Sequence, residues 1–166
     1  MITMKLTPPG IAKLCGLEAP QDGPPLKAYR DEAGVWTIGY GSTYIDGRPV
    51  RKGDYLHDES IARLLLMRTL PLYENCVDHH ITGDITNPQF DALVLLCFNI
   101  GPESFEHSSL VRIINENHLD YSAIEPHWLE WNKVTINGRH EISNGLVYRR
   151  KSEFELYAHG NYHYKA

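Results

Sequence analysis

Hydrophobic residues change their spacing twice in the first half of the chain, and each change predicts a different element. Ile11, Leu14 and Cys15 recur at helical intervals behind Thr7-Pro8, where a hydroxyl residue precedes a proline at the first helical position. The spacing predicts a first helix from about Pro8 to Ala19, and Pro20, Gly23, Pro24 and Pro25 end it. Alternation follows: Leu26, Ala28 and Tyr29, a DEAG turn, then Val35-Trp36-Thr37-Ile38 read as a β-hairpin. Gly39, Gly41 and an Asp46-Gly47 turn extend it into a small glycine-rich sheet ending near Val50, so a minor β-lobe is expected over roughly residues 22 to 57.

The helical period returns at Asp58, where Asp58 or Ser60 can cap. Ile61, Leu64, Leu65, Leu70, Tyr73 and Val77 then form a stripe to about Asp78, with Pro71 a possible kink. Asn87-Pro88 repeats the cap-then-proline pattern and opens a helix that is apolar on every side from Ala92 to Phe98, which belongs in a core. Shorter helices are expected near Ser109 to Asn115, Asp120 to Trp131 and Leu146 to His159, with Asn137-Gly138 and Asn144-Gly145 as turns between the last two. No internal repeat or low-complexity segment interrupts this order. The expected architecture is a single α+β domain over residues 1–166, with the β-lobe beside a helical lobe of about 58 to 160 plus the N-terminal helix.

Composition narrows the partners. A content of 42% hydrophobic and 22% charged residues suits one sizeable core or two small lobes sharing a long helix. The net charge is −5, and the densest basic cluster, Arg149, Arg150 and Lys151, is offset by Glu153 and Glu155, which argues against nucleic acid. Cys15, Cys76 and Cys97 all fall in apolar helical patterns, which predicts buried free thiols in a reducing compartment. The segment MITMKLTPPG reads as neither signal peptide nor membrane anchor, so synthesis in the cytoplasm without membrane insertion is expected. The nine histidines, His79-His80, His159 and His163 among them, show no tight ligand spacing, and neither metal nor cofactor is expected.

The chemistry sits around the first hairpin. Asp31 closes the first strand and Thr37 lies six residues on, so a short hairpin can bring the two near one another to share a water. Glycoside hydrolysis needs a partner carboxylate of this kind and a second acid that donates a proton. Two acids lie upstream. Glu18 follows Leu14 by four residues and Cys15 by three, so it projects from the buried stripe at the end of the helix, and a carboxyl kept partly out of water holds its proton to higher pH. Asp22 lies in a Gln-Asp-Gly-Pro segment typical of an exposed turn. The plainer alternatives are a solvated Glu18 in a frayed last turn, a turn acid at Asp31 and an ordinary strand threonine at Thr37.

Four segments in order, LKAYRDEAGVWTIGYGST (Leu26 to Thr43), NPQFDALVLLCFNIG (Asn87 to Gly101), SSLVRIIN (Ser108 to Asn115) and GLVYRRKSEFELY (Gly145 to Tyr157), resemble the bacteriophage lysozyme (endolysin) family, glycoside hydrolase family 24. The resemblance implies a lysozyme-like muramidase fold in which a small β-lobe and a helical lobe flank a cleft for peptidoglycan glycan strands. It also implies a catalytic Glu ending the first helix, an Asp ending the first strand and a Thr on the next. Asp31 and Thr37 match the last two directly. For the first, spacing back from Asp31 selects Asp22-Gly23, whereas the helix GIAKLCGLEA selects Glu18; the longer reach and inward face of Glu18 favour it. Ser42 stands where many members carry a His that partners the acid.

Other residues take lesser roles by the same resemblance. Tyr40 is expected to bind substrate together with Asn99, which with Gly101 shapes the cleft wall, although aromatics spaced as Tyr40, Trp36, Trp128 and Trp131 belong more often to a core than to a sugar site, and Asn99-Gly101 also suits a helix C-terminus. Arg149 and Arg150 meet either the Glu18 carboxylate, substrate or solvent. The implied protein is a monomeric muramidase that cleaves the β-1,4 bond between N-acetylmuramic acid and N-acetylglucosamine, made in the host cytoplasm and released through a holin. The displaced acid and Ser42 leave one alternative, a wall-binding or virion structural protein with a decayed site, and a lytic transglycosylase, which forms an anhydro sugar without water, is a second.

Overall fold

The computed structural model describes residues 3–19 and 21–165, so Pro20, expected to help end the first helix, lies outside the described residues. The chain forms two compact units, one from Ala12 to Pro71 and the other from the residues through Ile11 together with those from Leu72 onward. The first is wider than the β-lobe drawn from the sequence because it takes in most of the first helix and half of the second.

In the Ala12–Pro71 unit, the helix α1 (Pro8–Glu18) ends one residue earlier than its apolar pattern suggested. Strands β1 (Tyr29–Arg30) and β2 (Trp36–Thr37) pair antiparallel, as do β3 (Tyr44–Ile45) and β4 (Arg48–Pro49). They are separate two-stranded ladders rather than the continuous sheet expected, and the isolated bridges Lys27↔Tyr55 and Ile38↔Ser42 lie outside both. Glycine explains the interruption: Gly39 and Gly41 have φ of +63° and +81°, which strand geometry does not allow. A Cβ on Gly39 would also lie 3.0 Å from that of Ala62.

Asp58 caps α2 (Glu59–His80), accepting from the Ile61 N–H at 3.2 Å, and the helix runs on through Pro71. Its buried face differs from the stripe expected: Ala62, Leu65, Leu66 and Leu70 are buried, while Ile61 and Leu64 are exposed. The apolar residues at 61 and 64 are therefore surface positions of a kind normal for folded proteins.

The other unit is helical. Its central helix α3 (Asn87–Ile100) is buried continuously from Gln89 to Cys97 and packs most extensively against α7 (Asn144–His159). Thr86, not Asn87, is its cap: the Thr86 hydroxyl accepts from the Gln89 N–H while the Gln89 side chain accepts from the Thr86 N–H. Between them lie α4 (Pro102–Glu106), α5 (Ser109–Glu116) and α6 (Tyr121–Leu129), then β5 (Lys133–Ile136) paired with β6 (Arg139–Ile142). The β5–β6 hairpin was not anticipated, although its Asn137-Gly138 turn was. Asn137 and Gly138 take φ of +51° and +76°, the primed turn that suits the twist of a two-stranded ribbon. Asn144-Gly145 is not a turn; both residues open α7, which Ser143 caps through the Leu146 N–H.

Two buried carboxylates hold the N-terminal segment onto this unit. Glu74 accepts from the Leu6 N–H at 2.6 Å. Asp91, fully buried on α3, accepts from the Thr7 N–H at 3.0 Å, from the Thr7 hydroxyl, and from the Tyr162 hydroxyl at 2.7 Å. Burial and the Asp91 carboxylate push the Tyr162 phenol up to about 12.

Candidate active site

The first hairpin fixes Asp31 and Thr37 by way of Val35. Asp31 Oδ1 accepts from the Ala33 N–H at 2.9 Å and the Val35 N–H at 2.8 Å, so the carboxylate closes the DEAG turn on itself. Among the described residues its side-chain hydrogen bonds stop there, which leaves Oδ2 unengaged on an exposed side chain. Thr37 is 4% exposed and its hydroxyl donates to the Val35 carbonyl at 2.9 Å. The register pairs Thr37 with Tyr29, so Thr37 is diagonal to Asp31 rather than opposite it. Both side chains are thereby tied to one residue, and a water held by Asp31 Oδ2 would be oriented by a rigid turn.

The two candidate proton donors differ in mounting. Glu18 is the last residue of α1 and half-buried. Asp22 is exposed, in a turn that continues into Gly23 at φ +89°. A helix end holds a side chain more firmly than a glycine turn does, which favours Glu18 as a fixed donor.

Tyr40, expected to bind substrate, is 3% exposed and donates its hydroxyl to Glu59 Oε1 at 2.7 Å. Burial, reinforced by that carboxylate, pushes its phenol up, as burial does the adjacent Cys15 thiol. A ring without an open face cannot stack on a sugar, so in this structure Tyr40 is a core residue that braces α2 against the turn after β2. Ser42 is buried too, and its backbone completes the bridge to Ile38 through bonds of 2.8 and 2.9 Å.

In the helical unit, Asn99 is exposed at the end of α3 and borders a cavity of about 560 Å³ with Glu130, Trp131, Lys133, Thr135 and His140. Arg149 and Arg150 are buried. Arg150 Nη2 donates to Asn99 Oδ1, Arg149 Nη2 donates to the Leu95 carbonyl at 3.1 Å, and both guanidinium groups pair with Glu153 at 3.1 Å. Glu153 is itself fully buried and also accepts from Trp128 Nε1 at 3.2 Å. A second polar cluster escaped the sequence reading: the Ser109 hydroxyl lies 2.7 Å from His127 Nδ1 and 3.3 Å from Glu130 Oε1. The serine lies in the SSLVRIIN segment, but nothing local to it points to residues on another helix.

Among the described residues no group of three or more His, Cys, Asp or Glu side chains is arranged to hold a metal ion. No helix among them is long and apolar enough to cross a membrane.

A minor β-ladder region with a turn-mounted acid and a separate helical unit built around an apolar central helix define an α+β fold of the muramidase class. The phage lysozyme family model matches residues 20–153, and the chain belongs to that family. It is similar to the endolysin of Acyrthosiphon pisum secondary endosymbiont phage 1, at 33% identity over 136 residues, covering 82% of this chain and 88% of that one. The SAR-endolysin of Pseudomonas phage phiKMV is 33% identical over 144 residues, covering 87% and 84%. Among solved structures, the endolysin of the Escherichia coli phage FAHEc1 superposes with a TM-score of 0.88 at 32% identity, over 97% of this chain and 98% of that one.

Proposed function

We propose that this chain is an endolysin: a muramidase that hydrolyses the β-1,4 bond between N-acetylmuramic acid and N-acetylglucosamine in peptidoglycan and so lyses the host cell. Membership of the phage lysozyme family supports the class of enzyme and substrate. The observation that carries the reading onto particular residues is the Asp31 carboxylate, which has one oxygen fixed by two backbone N–H groups and the other unengaged among the described residues.

In this mechanism Glu18 protonates the leaving oxygen from the end of α1. Asp31, with Thr37 beside it, orients the attacking water or stabilises the positive charge that develops on the sugar ring. Preorganisation supplies the advantage, since the carboxylate is already locked in its turn and need not be reoriented when substrate arrives. Asn99, held by Arg150, contributes a fixed amide for the glycan. No cofactor takes part. Synthesis in the host cytoplasm, exit through a holin-like pore and action as a monomer complete the proposal.

Turbidity loss of outer-membrane-permeabilised cells tests it, comparing wild type with Glu18→Gln, Asp22→Asn and Asp31→Asn. Lysis by wild type and by Asp22→Asn, with loss in the other two, is expected; an active Glu18→Gln protein would transfer the donor role away from Glu18. Mass spectrometry of the released fragments should show hydrated reducing ends. Anhydro ends would make the chain a transglycosylase.

A further inference from the structure

The face that carries Asp31 continues backward along the chain beyond the first hairpin. Lys27 bridges Tyr55, and two backbone bonds flank that bridge: the Ala28 N–H donates to the Asp54 carbonyl at 2.9 Å and the Leu56 N–H to the Leu26 carbonyl at 2.7 Å. Lys27 and Tyr55 are therefore a non-hydrogen-bonded antiparallel pair, the kind whose side chains stand closest. Alternation then sorts the neighbours. Lys27, Tyr29 and Asp31 share one face, with Tyr55 beside Lys27 and Thr37 opposite Tyr29. Ala28, Ile38 and Leu56 take the other face and are buried or half-buried.

The face is aromatic where it is most open. Tyr55 is 70% exposed and Tyr29 39%, and the Tyr55 ring meets His57 edge-on with centroids 6.3 Å apart. Among the described residues no hydrogen bond or ion pair engages the Lys27 ammonium or either phenol hydroxyl. Two rings and a cation thus lead away from the proposed catalytic carboxylate with their polar atoms free for a ligand.

We propose that Tyr29, Lys27 and Tyr55 form a sugar-binding strip that grips the glycan strand on one side of the bond being cleaved. The inference rests on the muramidase reading and adds to it the residues that hold the strand away from Asp31 and Thr37. Strand rise gives the spacing: Tyr29 lies roughly 7 Å and Lys27 roughly 13 Å from Asp31 along the chain, with Tyr55 next to Lys27 on the adjacent segment. The strip therefore starts beside the reacting sugar and ends where a neighbouring part of the same strand would lie. A pyranose ring has an apolar face of C–H groups and a rim of hydroxyl and acetamido oxygens. The C–H face suits the open Tyr55 ring, and the Lys27 ammonium and the phenol hydroxyls can donate to the rim. An apolar protein or lipid surface fits the strip poorly, because Lys27 and Asp31 interrupt the aromatics.

The test is co-sedimentation of the full chain with purified peptidoglycan sacculi, on ice and in an Asp31→Asn background so that the glycan stays intact. Tyr55→Ala, Tyr29→Ala and Lys27→Met should each weaken binding about three- to tenfold, the scale of one stacking or charged hydrogen-bonding contact. Tyr55→Phe, which keeps the ring, should bind within about twofold of its parent. Tyr44→Ala is the control, since Tyr44 is comparably exposed but lies on the separate β3–β4 ladder, and it should change nothing. With Asp31 restored, Tyr55→Ala should raise KM for sacculi more than it lowers kcat. Binding indifferent to Tyr55→Ala, an equal loss in Tyr44→Ala, or a Tyr55→Phe protein as weak as the alanine variant would overturn the proposal. The two readings fail separately: Tyr55-dependent binding by a wild type that releases no wall fragments would refute the muramidase and keep the strip, and lysis with Tyr55-independent binding would do the reverse.

Discussion

Asp31 serves both as a turn acid and as the proposed catalytic carboxylate, and two substitutions separate these roles. In Asp31→Asn the amide oxygen can keep the bonds from Ala33 and Val35 at 2.9 and 2.8 Å, with the amide nitrogen in place of Oδ2, so the turn survives and only the charge is lost. Stability should then change by less than about 1 kcal/mol, as for other exposed sites whose backbone bonds are retained. Asp31→Ala removes both acceptor interactions. At about 0.5 to 1.5 kcal/mol each, and at the low end because the site is exposed, the loss is about 1 to 2 kcal/mol, or roughly 2 to 8 °C in thermal midpoint. Activity should behave otherwise. Removing a group that activates or orients the water costs about a hundredfold to ten-thousandfold in rate, and it should do so equally in both variants. Thermal denaturation and initial rates of turbidity loss, measured on the same preparations, give the comparison. An asparagine variant within tenfold of wild type, beside an inactive alanine variant, would show that Asp31 only shapes the turn.

Three further outcomes follow from the buried and paired groups. Glu153→Gln removes the charge that balances Arg149 and Arg150, and breaking such a buried pair should cost about 3 to 5 kcal/mol in urea denaturation. Asp54 is held down to about 2, first by its bond from Arg48. The stability this adds is full above the ordinary carboxylate range and is lost as pH falls through 2, so the gap in thermal midpoint between wild type and Arg48→Met should be constant near neutrality and close over that acid window. Tyr162, at about 12, carries the opposite sign. Its contribution is present below about pH 10 and lost as pH rises towards 12, so the gap between wild type and Tyr162→Phe should close over that alkaline window, read by circular dichroism.

Most helices were legible because each carries a local signature, such as Thr7-Pro8 before α1 or the unbroken apolar run of α3. Where two local signals compete, sequence alone misplaces the boundary: Asn87 is a good cap, but Gln89 can reciprocate only with Thr86. The β5–β6 hairpin went unread because Ile136 and Ile142 are exposed, so no burial alternation accompanies the strands and only the turn stood out. The placement of Asp31 and Thr37 on one hairpin was legible because that hairpin is short. The burial of Arg149 and Arg150 was not, because it goes with a carboxylate, Glu153, whose spacing three and four residues on also fits a solvated helix face. The burial of Tyr40 was unread for a related reason. An aromatic beside the Asp31 hairpin suits either a sugar or a core, and its partners, Glu59 and Cys15, come from elements that its own segment does not reveal.

Asp91 has a consequence for the order in which the molecule can be completed. Its side chain accepts from Thr7, which leaves the ribosome 84 positions before it, and from Tyr162, which follows 71 positions after it. The unit containing α3 is thus assembled from chain on both sides of Ala12–Pro71, and its central carboxylate acquires its last donor only when synthesis has passed Tyr162. The Ala12–Pro71 unit, contiguous in sequence, meets no such delay. During synthesis the hairpin that carries Asp31 and Thr37 can therefore be in place while the helical unit still waits for its closing residue.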